Sequence, residues 1–385
     1  MTNVFDYLLW RGDLTLEQSP FQEVDGLILT CLAYHYFKGV LKQYAATPVR
    51  IEDLAIKVKD LPAEKLRMRD PQDLVLLQLM GKSQRFQNME ICYYVDHVDR
   101  EKEAQFAAFT VLLGDGTIFI AYRGTDLSLI GWKEDFNMSF LDFVPAQIAA
   151  AAYLLFAAQN LTGDIRIGGH SKGGNLAVFA AAICPRKIQH RILCIYNHDG
   201  PGFQEGMLRF QGYKDIISKV HSFVPESSII GMLMNHQGGY TVVKSAQKGL
   251  LQHDPYSWAV SGKDFVRLES VSMESKFWDK TLKNWLKSLT PEKREKFVDA
   301  LFELLSMTHA DEQGEVVLSP KNAYRTLQTL KDEDEETREA IFDGLRLLWI
   351  AARKTAGDYG FAIQKLAELK LWTRKDKEAV LCEMK

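Results

Sequence analysis

Asp164-Ile165-Arg166-Ile167-Gly168-Gly169-His170-Ser171-Lys172-Gly173-Gly174-Asn175-Leu176-Ala177 is the stretch on which the fold turns. Its first residues read as a short strand, and residues 172–183 read as a helix. Between them Gly169-His170-Ser171-Lys172-Gly173 matches G-x-S-x-G, the pattern of a nucleophile elbow. Such a turn holds its serine at strained backbone angles. Side chains two positions before and after it would collide, so Gly169 and Gly173 carry none. The turn lifts the Ser171 hydroxyl to the C-terminal edge of a sheet. It also sets a helix N-terminus beneath the reaction centre, with the Lys172 N–H aimed at a developing oxyanion.

Outward from the elbow, the chain alternates between sheet and helix signals. Residues 91–95, 106–113 and 117–122 read as strands, the last two flanking the hairpin signal Gly114-Asp115-Gly116. An irregular, aromatic-rich stretch spans 126–143, and 145–159 reads as a helix. Residues 192–197 and 216–223 then read as buried strands. Strand, helix, strand at this spacing predicts an α/β protein with a mostly parallel central sheet and crossover helices. Before the sheet, residues 1–65 read as helical. Asp70-Pro71 supplies an N-cap with proline at the first helical position, opening a helix through Met80.

Beyond about residue 265 the glycines and β-branched residues thin out. Thr290-Pro291-Glu292 opens an amphipathic helix with Phe297, Val298, Leu301, Phe302 and Leu305 on one face. A charge-rich stretch at 331–339 precedes another amphipathic segment at 341–354. The expected division is a sheet-bearing unit at 1–267 with a helical N-terminal segment, and an all-helical extension at 268–385.

The bulk numbers narrow the function classes. The chain has 385 residues, 46% hydrophobic and 25% charged, with a formal net charge of −3. Those are the proportions of a globular protein, and nothing in them favours nucleic acid as a partner. The N-terminus lacks the basic and apolar regions of a secretory signal. The longest apolar run, 148–158, is too short to span a bilayer. Lipid, if contacted, is met at a surface or as monomers. Five cysteines without a C-x-x-C pair suit free thiols in a reducing compartment, so a cytoplasmic location is expected. Neither a metal site nor an organic cofactor is implied.

Two segments carry a resemblance. Gly-His-Ser-Lys-Gly-Gly-Asn-Leu-Ala at 169–177 resembles the elbow of class 3 lipases, a family of α/β-hydrolases, although leucine is typical there where this chain has Lys172. Phe119-Ile120-Ala121-Tyr122-Arg123-Gly124-Thr125-Asp126 resembles the strand and turn that supply their second oxyanion donor, and Trp132 and Asp135 fit soon after it. The resemblance covers roughly 105–255. The whole chain resembles a bacterial branch of that superfamily whose function is largely uncharacterised. The family implies an α/β-hydrolase fold, an acyl-enzyme mechanism and Thr125 as the second oxyanion donor, through its N–H and its hydroxyl.

In such proteins the chain order is serine, acid, histidine. Of the histidines after Ser171, His253 and His236 lie in suitable loops. His253, in Gln252-His253-Asp254-Pro255-Tyr256, is favoured because related proteins carry their base in that region. The family's aspartate belongs in the loop after the second strand beyond the elbow, but that loop reads Val224-Pro225-Glu226-Ser227-Ser228. Glu226 is one candidate acid. Asp199, at the end of the strand directly after the elbow helix, is the other. Asp254 is a poor third, since a neighbour of the base rarely reaches its far nitrogen. The apolar stretches 127–143, in the place of the lipase lid, and 229–234 are expected to border the site. The expected activity is hydrolysis of a small-molecule ester or lipid ester. A thioesterase, an acyltransferase or an impaired binding protein are the alternatives.

Overall fold

The computed structural model describes residues 1–62, 69–99, 101–126, 128–309, 326, 329–330 and 333–359. Its centre is a nine-stranded sheet made of β1 (Val49–Arg50), β2 (Glu90–Asp99), β3 (Ala104–Leu112), β4 (Ile118–Tyr122), β5 (Ile165–His170), β6 (Ile192–His198), β7 (Val220–Pro225), β8 (Thr241–Val243) and β11 (Arg267–Leu268). The strands lie in that order. A small ribbon of β9 (Val260–Ser261) and β10 (Asp264–Phe265) stands apart. Strands β4 to β8 are parallel, whereas β1 to β4 and the β8–β11 pair are antiparallel. The sheet is therefore mixed: the expected parallel strands form its core, and antiparallel strands flank them on both sides. The reason is local. The Gly114-Asp115-Gly116 turn and the short link between β2 and β3 can join only antiparallel neighbours, while parallel neighbours need a crossover.

Period-two alternation sorts the layers. Ile118, Ile120 and Tyr122 of β4 face the layer formed by α6 (Pro145–Asn160) and α7 (Lys172–Ile183). Phe119 and Ala121 face the other layer, built from α1 (Val4–Arg11), α2 (Glu23–Leu32), α3 (Ile51–Lys59) and α4 (Pro71–Met80). The N-cap expected at Asp70 is present, its carboxylate accepting from the Gln72 N–H at 2.8 Å. Short helices α8 (Arg186–Arg191), α9 (Glu205–Arg209) and α10 (Gln211–Ile216) complete the crossovers.

Three segments differ from the sequence reading. The strand β1 (Val49–Arg50) lies within the stretch 1–65 that was read as helical. Residues 216–219 continue helically from α10, with Tyr213 and Ile216 buried on one face, so β7 begins only at Val220. The stretch 126–143 contains a helix, α5 (Leu129–Asn137), capped by the Ser128 hydroxyl accepting from the Gly131 N–H at 3.2 Å. Serine at the N-cap was a readable start signal that the aromatic content masked.

Helices α11 (Met273–Ser288), α12 (Pro291–His309) and the long helix Glu335–Asp358 pack on one another through Trp285, Phe297, Val298, Phe302 and Ala351. Leu129, Trp132 and Phe140, from α5 and just after it, pack against the same cluster. No helix among the described residues is long and apolar enough to cross a membrane. The expected extension beyond Tyr359, residues 360–385 with Cys382 among them, lies outside the described residues.

Candidate active site

The elbow forms where β5 meets α7. Ser171 sits between them at φ 58° and ψ −132°, a conformation that costs a side-chain-bearing residue strain. Its N–H donates to the His198 carbonyl at 2.9 Å, which ties the turn to β6. A Cβ on Gly169 would lie 2.1 Å from the Gly173 backbone, and one on Gly173 would lie 2.3 Å from the Tyr122 carbonyl oxygen. The two glycines are therefore a steric necessity of the turn.

His253 closes a one-turn helix, Gly249–His253, and its Nε2 stands 3.0 Å from Ser171 Oγ. Its Nδ1 stands 2.6 Å from Asp199 Oδ2. Asp199 follows β6 at φ 52° and is buried to 1% exposure. Its other oxygen accepts from the Ser228 hydroxyl at 2.5 Å and the Gly231 N–H at 3.1 Å. Both oxygens of this buried carboxylate therefore have hydrogen-bond partners. His253 is also held through its backbone. His170 Nε2 lies 2.8 Å from the His253 carbonyl, and His170 Nδ1 lies 2.7 Å from the Tyr34 hydroxyl. Burial, reinforced by the neighbouring His253, pushes the His170 pKa well below its ordinary value, so the ring is neutral. The tautomer protonated on Nε2 satisfies both contacts.

Glu226 does not join this chain. It lies in the loop after β7, half-buried, and its backbone does the bonding: its N–H donates to Val243 and its carbonyl accepts from Ser272. Both partners of the His253 ring are other residues, Asp199 and Ser171. The loop between β7 and β8 hands its donors, Ser228 and Gly231, to Asp199 instead of supplying an acid itself. His236 stands against α11, where the charges it feels are those of Lys283 and Asp279. The Asp254 carboxylate accepts from the Tyr256 N–H at 3.1 Å and so caps the following turn.

On the other side of Ser171 lies the turn after β4. A Cβ on Gly124 would lie 3.2 Å from Ser171 Cβ, which shows how close this turn runs to the serine. The Thr125 hydroxyl donates to Asp135 Oδ2 at 2.5 Å. Its single proton is thus committed to that carboxylate. Asp135 Oδ1 is buried without a partner. Burial raises the Asp135 carboxyl to about 6, against the opposing pull of Lys172 and of the Thr125 hydroxyl.

Lys172, where a leucine was typical of the resembling family, carries its ammonium into the interior. Nζ meets Glu134 Oε2 at 2.8 Å and the Gln105 carbonyl at 3.1 Å, and the side chains of both ion-pair partners are at most 1% exposed. Glu134 also accepts from the Gln105 N–H at 3.1 Å and the Ala146 N–H at 2.8 Å. Sequence reasoning missed Glu134. The available signal was chemical: a lysine inside a buried elbow needs an acid, and Glu134-Asp135 was the acidic pair nearby.

The apolar residues expected to line a pocket divide. Leu129, Trp132 and Phe140 pack on the C-terminal helices, and Phe136 stacks edge-on with Phe302 at 5.5 Å. Met138, Leu141 and Met234 line a narrow cavity that reaches Gly202 and Asn175.

With this geometry in place, a family can be assigned. The Mbeg1-like family model matches residues 80–303. The chain belongs to the Mbeg1-like family. The matched residues run from the last residue of α4 into α12, so the match takes in every strand of the sheet but β1, the elbow, α11 and most of α12. Among solved structures, the chain is similar to M37 lipase at 14% identity and a TM-score of 0.37, covering 56% of this chain and 70% of that one. It is similar to a fungal lipase at 13% identity and a TM-score of 0.36, covering 62% and 84%. A mutant form of MDLA from Penicillium cyclopium gives 12% identity and a TM-score of 0.35, covering 63% and 83%. Among curated proteins nothing matches.

Proposed function

We propose that this member of the Mbeg1-like family is a serine hydrolase that cleaves carboxylic esters, lipid esters among them, through an acyl-enzyme, with residues 1–267 as the hydrolase unit and 268–385 as a helical extension. One observation carries the reading: an unbroken chain of contacts from Asp199 through His253 to Ser171, at 2.6 and 3.0 Å, with the serine on a strained elbow.

Ser171 Oγ attacks the carbonyl carbon as its proton passes to His253 Nε2. Asp199 remains ionised, fixes the tautomer and stabilises the imidazolium. The tetrahedral oxyanion is held by the N–H groups of Lys172 and Thr125. His253 then returns the proton to the departing alcohol. Water, deprotonated by the same imidazole, attacks the acyl-enzyme and releases the acid. Loss of one oxyanion donor costs about 100- to 1,000-fold in rate in comparable sites.

The test is labelling of the folded full-length chain with a fluorophosphonate, beside Ser171→Ala, followed by p-nitrophenyl ester assays. The expected result is labelling and turnover in the wild type and neither in the variant. An unlabelled wild type, or equal labelling of both proteins, refutes the reading.

A further inference from the structure

A cleft of about 260 Å³ opens between the sheet-bearing body and the C-terminal helices. One side is formed by Phe203, Gln204 and Met234, and the facing side by Lys283 and Lys287 of α11 and Arg294 of α12. Three cations meet there in a chain whose net charge is −3. Glu205 also lines the cleft, but its carboxylate is engaged by Arg209 at 2.7 Å. Arg294 donates to the carbonyls of Ser139 and Leu286, while its Nε is buried without a partner. Lys283 pairs with Asp279 at 2.7 Å, and Lys287 is exposed.

The cleft is joined to the candidate site through shared loops. Phe203 and Gln204 follow Asp199 in the same loop. Met234 follows Gly231, whose N–H donates to Asp199. Ser139 follows α5, whose Asp135 accepts from Thr125. The narrow inner cavity shares Phe203, Gln204 and Met234 with the cleft and continues to Gly202 and Asn175, one turn into the elbow helix.

Helix α5, in the place of a lid, is held on both faces. Inside, Glu134 pairs with Lys172 and Asp135 with Thr125. Outside, Lys133 pairs with Asp299 at 2.7 Å and Phe136 stacks on Phe302. Helix α5 is thus anchored from both sides, and the cleft opens beside its C-terminal end at Ser139.

We propose that the cleft admits and selects monomeric esters that carry an anionic group, phosphate or carboxylate. The proposal rests on the serine-hydrolase reading above and names its substrate class. The anion lies among Lys283, Lys287 and Arg294, and the apolar wall at Phe203 and Met234 guides the ester toward Ser171. Charges at a rim of this kind act on capture and on its salt dependence.

The experiment uses two matched pairs of substrates: 1-butyrylglycerol 3-phosphate with 1-butyrylglycerol, and mono-p-nitrophenyl succinate with p-nitrophenyl butyrate. The full-length wild type is compared with the double variant Lys283→Glu, Lys287→Glu, whose fold is checked by thermal melting. The expected result is that the anionic-to-neutral ratio of kcat/KM falls about tenfold or more in the variant. In the wild type, KM for the anionic ester rises several-fold between about 20 and about 300 mM salt while that for the neutral ester holds. A response in one pair alone supports the proposal and identifies the anion. A ratio within about twofold of wild type in both pairs, with no salt effect, overturns it while neutral-ester turnover keeps the hydrolase reading. A wild type that cleaves none of the four esters and resists fluorophosphonate overturns both.

Discussion

The two sides of Ser171 are held by different physics. On the side proposed to carry the base, the base side, His253 is fixed by hydrogen bonds at three points: Asp199 at Nδ1, Ser171 at Nε2 and His170 at its carbonyl. These supports trace back to strand ends and, through Tyr34, to the residues just after α2. On the side proposed to hold the oxyanion, the oxyanion side, the Thr125 turn and Lys172 are tied to one helix, α5, by a buried ion pair and a carboxylate of raised pKa. That helix leans in turn on α12. The base side is thus built into the sheet, whereas the oxyanion side depends on buried charge and on a bundle outside the sheet. Variants on the two sides should fail in different ways, the first in chemistry and the second in stability.

The largest expected effect is on the base side. Asp199→Asn keeps the shape but favours the wrong tautomer of His253, so kcat should fall about 1,000- to 10,000-fold. Glu226→Gln, at the position where the acid was alternatively expected, should stay within about twofold, because its side chain serves neither ring nitrogen. Steady-state ester kinetics on both variants check the pair. A severe loss in Glu226→Gln with a mild one in Asp199→Asn would break the comparison at its base.

What was legible in the sequence follows the same divide. The elbow, the hairpin at Gly114-Asp115-Gly116 and helices α6 and α7 are local features, and local patterns announced them. The pairing of His253 with Ser171 was readable from chain order and loop position. The acid stayed open between Glu226 and Asp199 because the choice depends on how two loops fold over each other. Ser228 and Gly231 turn their donors to Asp199 only in three dimensions. The mixed character of the sheet was half visible, since a hairpin signal already demanded one antiparallel pair. The packing of α5 on α12 was not visible, because helix docking across more than a hundred residues leaves no spacing to read, whereas the Glu134–Lys172 pair, 38 residues apart, was legible only through the need of a buried lysine for an acid.

On the oxyanion side the larger effect should be structural. Glu134→Leu leaves the Lys172 ammonium buried without its counter-ion and removes an acceptor from the N–H groups of Gln105 and Ala146. Breaking a buried pair in this way costs about 3–5 kcal/mol. Adding Lys172→Met removes the stranded charge, and the double variant should recover most of the ion-pair part of that loss. Denaturant unfolding of the wild type, both single variants and the double closes the cycle. Additive losses would mean that the two side chains do not act as a pair.

The smallest effect separates pH from packing. Asp135 has its carboxyl raised to about 6, above the ordinary carboxylate value near 3.8, because burial disfavours its charge and Oδ1 has no donor. The folded protein therefore binds this proton more tightly than the unfolded chain does. The associated stability is fully present below about pH 4 and is lost as pH rises through about 6, by an amount on the order of 2–3 kcal/mol. Asp135→Asn preserves an acceptor for the Thr125 hydroxyl and carries no charge to bury, so its stability should lack that decline. Thermal or denaturant unfolding of both proteins from about pH 4 to about pH 8 gives the difference curve. A rise of wild type over variant across that window would mean that Asp135 is stabilised by its charge. The oxyanion side would then be supported electrostatically in the same manner as Asp199, and the contrast between the two sides would narrow to the ion pair alone.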